Sequence, residues 1–199
     1  MKLIILDRDG VINQDSDDFI KSPAEWIPIP GSLEAIARLN QAGYRVVVAT
    51  NQSGVARGLF SILTLNAIHQ KLHAAAQQVG AEVDAIFFCP HAAVEDCDCR
   101  KPKPGMLNTI ARRFDTSLRG VPTVGDSLRD LQAGFVAGCV PYLVLTGKGE
   151  LTQAKGGLPP GTRTFANLAA VVDELLQGEV LAAEPEELVP QRELKHRKS

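Results

Sequence analysis

The sequence predicts an α/β protein built as a three-layer sandwich, with a mostly parallel sheet between two layers of helices. Two observations carry this. Short, apolar, β-rich runs alternate along the chain with segments of helical periodicity, the pattern of repeated βαβ units. Polar residues rich in carboxylates stand directly after several apolar runs, where the strands of an open parallel sheet deliver groups to a ligand.

The elements follow in order. Residues 2–6 form an apolar run that is too short for a signal peptide and leads straight into charge, so it reads as a buried strand. Residues 10–30 carry polar and Pro-rich turn chemistry, with Phe19 and Trp26 as packing anchors. Leu33, Ile36, Ala37 and Leu39 fall at helical spacing over 31–42, and Gly43 is the stop. A second strand is expected over 44–49 and a helix over 61–79, through Leu65, Ile68, Leu72 and Ala75. A third strand at 85–88 precedes a loop over 89–104 rich in Cys, Asp and Pro. Then come a helix at 106–114, a strand at 123–124, a helix at 128–137, a strand at 140–145, a strand at 164–165 and a helix at 168–176. The alternation makes a Rossmann-like, three-layer domain over 1–178. The composition shift to Glu, Pro and Ala, then Arg and Lys, makes 179–199 a flexible tail. Its basic end at 195–198 reads as an aid to solubility.

Composition narrows the function. A net charge of −2 gives no general basic field, and two Tyr and one Trp give no base-stacking platform, so nucleic acid is not an expected partner. No apolar run reaches the ~20 residues of a membrane span, so a cytoplasmic protein is expected; a monomer is expected as well. In a reducing compartment, clustered cysteines point to metal rather than disulfides.

Three separate segments bring polar groups to strand ends: Asp7 and Asp9, Thr50 and Asn51, and Asp126. An isolated Asp in such a place more often caps a turn or opens a helix. Their convergence on one sheet edge points instead to phosphoryl transfer. Asp7 supplies a carboxylate nucleophile. Asp9 is placed to protonate a leaving alkoxide and later to activate water. The Thr50 hydroxyl and the Lys101 ammonium suit phosphoryl oxygens, and several carboxylates together call for a hard cation such as Mg²⁺.

Asp7-Arg8-Asp9-Gly10, Thr50-Asn51-Gln52-Ser53-Gly54, Lys101-Pro102 and Gly125-Asp126-Ser127-Leu128-Arg129-Asp130 resemble, in order, the four motifs of the haloacid dehalogenase superfamily. The resemblance implies a nucleophile at Asp7, a general acid/base at Asp9 and phosphoryl contacts from Thr50 and Lys101. It places Mg²⁺ on Asp7, the backbone carbonyl of Asp9 and Asp126, with Asp130 a weaker candidate beside them. Short gaps between motifs leave no room for a cap domain. The 10–30 loop and the Cys-rich loop are then the walls of the site.

Cys89, His91, Cys97 and Cys99 put three thiols and an imidazole within eleven residues, a ligand set suited to structural zinc. The alternative is a redox pair of Cys97 and Cys99. Four protein ligands leave no open position, so the metal would fix the 89–99 loop just before Arg100 and Lys101. Cys139 reads as a buried core thiol. This loop, with the run from Thr50 to Gly58, resembles the heptose 1,7-bisphosphate 7-phosphatases; the histidinol-phosphate phosphatases share its carboxylate and zinc features.

That resemblance implies a sugar-phosphate substrate in nucleotide-activated heptose and lipopolysaccharide core synthesis. It implies contacts from Asp15, Ser16, Asp17 and Asp18, from Thr50, Asn51, Gln52 and Ser53, and from Arg100 with Lys101. Arg57 reads equally as a phosphate contact or a solvated charge. His69 and His73, one turn apart, are expected on a helix surface. Ser127 stands where the family often has lysine, and the zinc loop is short for the family. A histidinol-phosphate phosphatase is the alternative enzyme, and a phospho-ligand sensor without turnover is the alternative of another class.

Overall fold

The computed structural model describes residues 1–183. Six strands form one sheet in the order β3-β2-β1-β4-β5-β6, and every neighbouring pair is parallel. They are β1 (Lys2–Leu6), β2 (Tyr44–Asn51), β3 (Ala85–Cys89), β4 (Pro122–Gly125), β5 (Val140–Val144) and β6 (Arg163–Phe165). The helices are α1 (Ser32–Gln41), α2 (Ile62–Gln78), α3 (Gly105–Arg113), α4 (Leu128–Val136), α5 (Gly149–Lys155) and α6 (Leu168–Ala183).

Side chains alternate across the sheet, as a period of two requires. Ile4, Leu6, Val46 and Val48 face one core with Ile36 and Leu39 of α1, Ile68 and Leu72 of α2, and Val171 and Val172 of α6. Leu3, Ile5, Val47 and Ala49 face the other with Met106, Leu107 and Ile110 of α3 and Ala133 of α4. The central strands are buried on both faces, hence their unbroken apolar runs. Each fully buried Leu or Ile contributes about 1.5–3 kcal/mol.

The strand order reverses between β1 and β4, where a doubly wound sheet opens a crevice. Leu6 lies opposite Val48 on one side and Val124 on the other. Asp7, one residue further, donates its N–H to Val124 O at 2.9 Å. The nucleophile candidate is therefore anchored to the sheet at the mouth of the crevice. The loops between β1 and α1 and between β3 and α3 hold one short 3-10 turn each, Pro23–Glu25 and Ala93–Glu95, and no inserted domain.

Two elements differ from the sequence reading. Helix α5 was not expected, because its buried residues are Gly149 and Thr152 and it shows no apolar stripe. Helix α6, expected over 168–176, runs through Gly178 to Ala183, so 179–183 continue the helix rather than starting a tail. The rest of the expected tail, 184–199, lies outside the described residues.

Candidate active site

Asp7, Asp126 and Asp130 come from the ends of β1 and β4 and the first turn of α4, and each offers an oxygen within 4.8 Å of the others. Two glycines permit this approach. A Cβ on Gly10, whose φ is +79°, would lie 2.0 Å from Asp126 Oδ2, and one on Gly147, φ +58°, would lie 2.2 Å from it. Asp126 Oδ2 accepts from Lys148 N at 2.7 Å. Asp130 accepts from Ser127 N at 3.0 Å and Ser127 Oγ at 2.6 Å, which closes the start of α4.

Lys101 is the buried cation among these three carboxylates. Its Nζ lies 2.6 Å from Asp130 and 3.1 Å from Asp7, and it donates to Ala49 O at 2.7 Å. Burial opposes the charge on Asp130, but the ammonium prevails and holds its pKa below the usual carboxylate range. Burial likewise opposes the charge on Lys101, and its two carboxylates outweigh that and raise its pKa. One cation does not balance three carboxylates. Burial and then the charge of Asp130 raise Asp7 to about 7 and Asp126 to about 8. Two acids held this high, Asp126 buried and Asp7 half-buried, are a fit for a hard dication, which would offset their repulsion.

Asp9 is seated differently. Its carboxylate accepts from Arg8 Nε at 3.0 Å and Arg8 Nη2 at 2.9 and 3.0 Å, from Asn13 Nδ2 at 2.8 Å and from Gln52 Nε2 at 2.9 Å. Gln52 also donates to Thr50 Oγ1 at 3.0 Å, which leaves the Thr50 hydroxyl proton for another acceptor. Gln52 thus joins the acid/base candidate Asp9 to Thr50, the candidate phosphoryl contact.

These groups line one cleft of about 230 Å³. Asp15, Ser16 and Asp17 reach it from the 10–30 loop, as do Thr50, Asn51, Gln52, Ser53 and Arg57 from the end of β2 and the following turn. Arg100 and Lys101 complete one wall. Asp18 is not among the lining residues; it is exposed, and its carbonyl accepts from Lys21. Asn51 spends its amide on the Lys101 backbone, donating to Lys101 O at 3.0 Å and accepting from Lys101 N at 3.1 Å. It ties the second motif to the third. Arg57 is exposed, with its guanidinium 5.7 Å over the Phe19 ring. Phe19 has a φ of +64°, a costly conformation for an aromatic residue, and stands in the same wall.

Beside the cleft, Cys89, His91, Cys97 and Cys99 point ligand atoms at one another. The Cys89–His91 and Cys89–Cys97 separations are both 3.6 Å, His91–Cys99 is 3.3 Å and Cys97–Cys99 is 3.4 Å. Tetrahedral zinc with bonds of about 2.3 Å implies ligand edges of about 3.7 Å, so the set fits that ion. Burial pushes the Cys99 thiol up to about 12, and a metal would reverse this. The loop grips both neighbours: Gln52 N donates to Cys89 O at 2.7 Å and Arg100 Nη1 donates to His91 O at 3.2 Å. Cys139 stands apart and buried, as expected, its thiol raised to about 12 by burial.

Several contributors escaped the sequence reading. Arg8 is fully buried against Asp9. His69 was expected on a helix surface but is buried, with Nε2 3.3 Å from Arg8 Nη1, because α2 turns this position inward beneath the site. Burial, then the Arg8 charge, lowers its pKa to about 4. The turn after β5 forms a further wall: Thr146 Oγ1 donates to Gly10 O at 2.6 Å, and Lys148 Nζ pairs with Asp15 at 3.2 Å and Asp17 at 3.0 Å. Thr-Gly-Lys-Gly directly after a predicted strand was the available signal.

Comparison with known proteins agrees with this geometry. The family model described as polynucleotide kinase 3 phosphatase matches residues 2–128, and one described as HAD-hydrolase-like matches 98–172. A D-glycero-β-D-manno-heptose-1,7-bisphosphate 7-phosphatase of Bordetella bronchiseptica is 67% identical over 89% of this chain and 99% of its own length. The crystal structure of D,D-heptose 1,7-bisphosphate phosphatase from B. bronchiseptica, complexed with magnesium and phosphate, superposes with a TM-score of 0.88 at 66% identity, covering 89% of this chain and 99% of that one. The Burkholderia thailandensis enzyme of the same name gives 0.72 at 53% identity, covering 88% and 99%. The chain belongs to the haloacid dehalogenase-like phosphatases, in the family of the heptose-1,7-bisphosphate 7-phosphatases.

Proposed function

We propose that this phosphatase removes the C7 phosphate of D-glycero-β-D-manno-heptose 1,7-bisphosphate, as the name of its 67%-identical relative suggests, in the making of nucleotide-activated heptose for lipopolysaccharide core. The observation that carries the chemistry is the meeting of Asp7, Lys101, Asp126 and Asp130 at the switch point of the sheet.

Asp7 attacks the phosphorus in line with the sugar oxygen; the new bond is to its carboxylate oxygen and the bond to the C7 oxygen breaks. Asp9 gives its proton to that leaving oxygen. Water, deprotonated by Asp9, then releases phosphate from the aspartyl-phosphate and regenerates Asp7. Lys101 and the Thr50 hydroxyl hold the equatorial oxygens as charge builds on them. Asp7, the Asp9 carbonyl and Asp126 would hold Mg²⁺, which when bound supplies positive charge to nucleophile and phosphoryl group alike. Cys89, His91, Cys97 and Cys99 would hold a structural zinc that steadies the segment leading into Lys101.

Asp15 to Asp17, Arg57 and Arg100 line the cleft beyond the reacting phosphate, where the sugar and its second phosphate would lie. The four unpaired thiols suit a reducing compartment, and the reading includes a cytoplasmic, monomeric enzyme. Comparing kcat/KM for phosphate release from both anomers of the heptose bisphosphate and from histidinol phosphate tests the substrate. The β anomer is expected to lead. A preference for histidinol phosphate overturns the assignment, and no release from any substrate at full Mg²⁺ loading favours a sensor without turnover.

A further inference from the structure

Every group that touches the Asp9 carboxylate is a donor: Arg8 Nε, Arg8 Nη2, Asn13 Nδ2 and Gln52 Nε2. Such a seat fixes where the Asp9 carboxylate lies relative to the cleft. It is built mainly from one fully buried guanidinium.

That guanidinium needs an anchor of its own. Nε and Nη2 are engaged by Asp9, and Nη1 points to His69 Nε2 at 3.3 Å, from the middle of α2. Arginine has only donors, so His69 Nε2 must be the acceptor and the imidazole is neutral, with its proton on Nδ1. The burial of His69 and its lowered pKa agree with a neutral ring. The Phe88 ring, 5.9 Å away and tilted at 57°, packs against the imidazole.

We propose that His69 is a positioning residue for the general acid: by accepting from Arg8 Nη1 it fixes the guanidinium on which Asp9 rests, and so governs protonation of the leaving group. The inference rests on the assignment of Asp9 as the acid.

The test uses the magnesium- and zinc-loaded full chain. It compares kcat/KM, which reports formation of the aspartyl-phosphate, on the heptose bisphosphate and on p-nitrophenyl phosphate. The first leaves as an alkoxide that needs a proton; the second leaves as a stable phenolate that does not. In His69→Leu, kcat/KM on the sugar phosphate is expected to fall about tenfold, a fraction of what a general acid contributes, and on p-nitrophenyl phosphate by no more than about twofold. His69→Gln, which keeps an acceptor, should recover most of the loss. Equal losses on both substrates in His69→Leu overturn the proposal, as does a glutamine variant as impaired as leucine, or no loss at all. Asp9→Asn separates the two levels. If Asp9→Asn shows the leaving-group split and His69→Leu does not, only this inference fails. If Asp9→Asn shows no split, the assignment of Asp9 fails.

Discussion

Removing magnesium should make this protein less stable as the pH rises from 6.5 to 8.5. Asp7 and Asp126 have folded pKa values of about 7 and 8, against 3.8 for an ordinary aspartate. In that window the unfolded chain has already released both protons and the folded chain has not. The folded state therefore binds more protons, and stability falls with pH. Integrating the two titrations gives losses of about 1 kcal/mol for Asp7 and about 2 kcal/mol for Asp126, roughly 3 kcal/mol together. For a chain of this size that corresponds to a fall in Tm of about 6–12 °C. His69, lowered to about 4, acts in the opposite sense, but only between its folded value and the ordinary 6.5, below the window. Asp130 and Lys101 titrate outside it as well, their pKa values shifted down and up. The assay is differential scanning fluorimetry on protein dialysed free of magnesium at constant zinc, repeated with saturating Mg²⁺. Magnesium binds the ionised carboxylates, so the stabilisation it gives should grow with pH. Asp126→Asn should leave about a third of the slope or less. Zinc release cannot imitate the effect, because thiolate ligation strengthens with pH. A Tm that is flat or rises over this window in the magnesium-free protein would refute the electrostatic account of the site.

Asp7→Asn should abolish turnover, measured as phosphate release, while raising the magnesium-free Tm at pH 8.5 by removing one repelling charge. Lys101→Met leaves Asp130 buried and unpaired; urea denaturation at pH 8 should show a loss of about 3–5 kcal/mol. The same change should lower kcat about 10²–10³-fold. Gly147→Ala drives a Cβ against Asp126 Oδ2 in a left-handed turn, and the Mg²⁺ concentration for half-maximal activity should rise about tenfold, as for a lost supporting contact to a metal ligand. Elemental analysis should find one zinc per chain, and Cys97→Ser should lose it. Activity should then fall about tenfold as the segment before Lys101 loosens, with Asp7 itself untouched.

Much of this was legible in the sequence because strand-end chemistry is local. Asp7 follows β1 at once, Thr50 and Asn51 end β2, and Asp126 follows β4, so unbroken apolar runs and the polar residues at their ends were enough to place them at strand ends. The Cys/His cluster was legible for the same reason: both halves of the set lie in one loop. What was missed acts across the chain. Lys148 reads as an ordinary loop lysine until β5 is placed beside β4, when its N–H meets Asp126 and its ammonium meets Asp15 and Asp17. His69 reads as a surface histidine because its spacing to His73 describes only the helix, and nothing local reveals that the position turns toward Arg8. Asp18 erred in the other direction: beside Asp15 and Asp17 in sequence, it is turned outward.

The position of Asn51 shows why the four motifs have to be read together. Its backbone ends β2, opposite Cys89 of β3, and its side-chain amide pairs both ways with the Lys101 backbone. Lys101 in turn pairs with Asp7 beyond β1 and Asp130 in α4. One chain of contacts thus runs from Cys89, the first residue of the Cys/His cluster, through Asn51 at the end of β2 and Lys101 to Asp7. A shift of the 89–99 loop would be felt first at Gln52 and Arg100, and through Asn51 and Lys101 at Asp7. A loosened zinc loop should therefore cost rate through the placement of an ammonium group, and the cost should be largest where that ammonium faces most charge, in the transition state rather than in the bound substrate. Loss of zinc should accordingly lower kcat more than it raises KM; steady-state kinetics of Cys97→Ser showing a KM effect alone would place the influence of the loop on substrate binding instead.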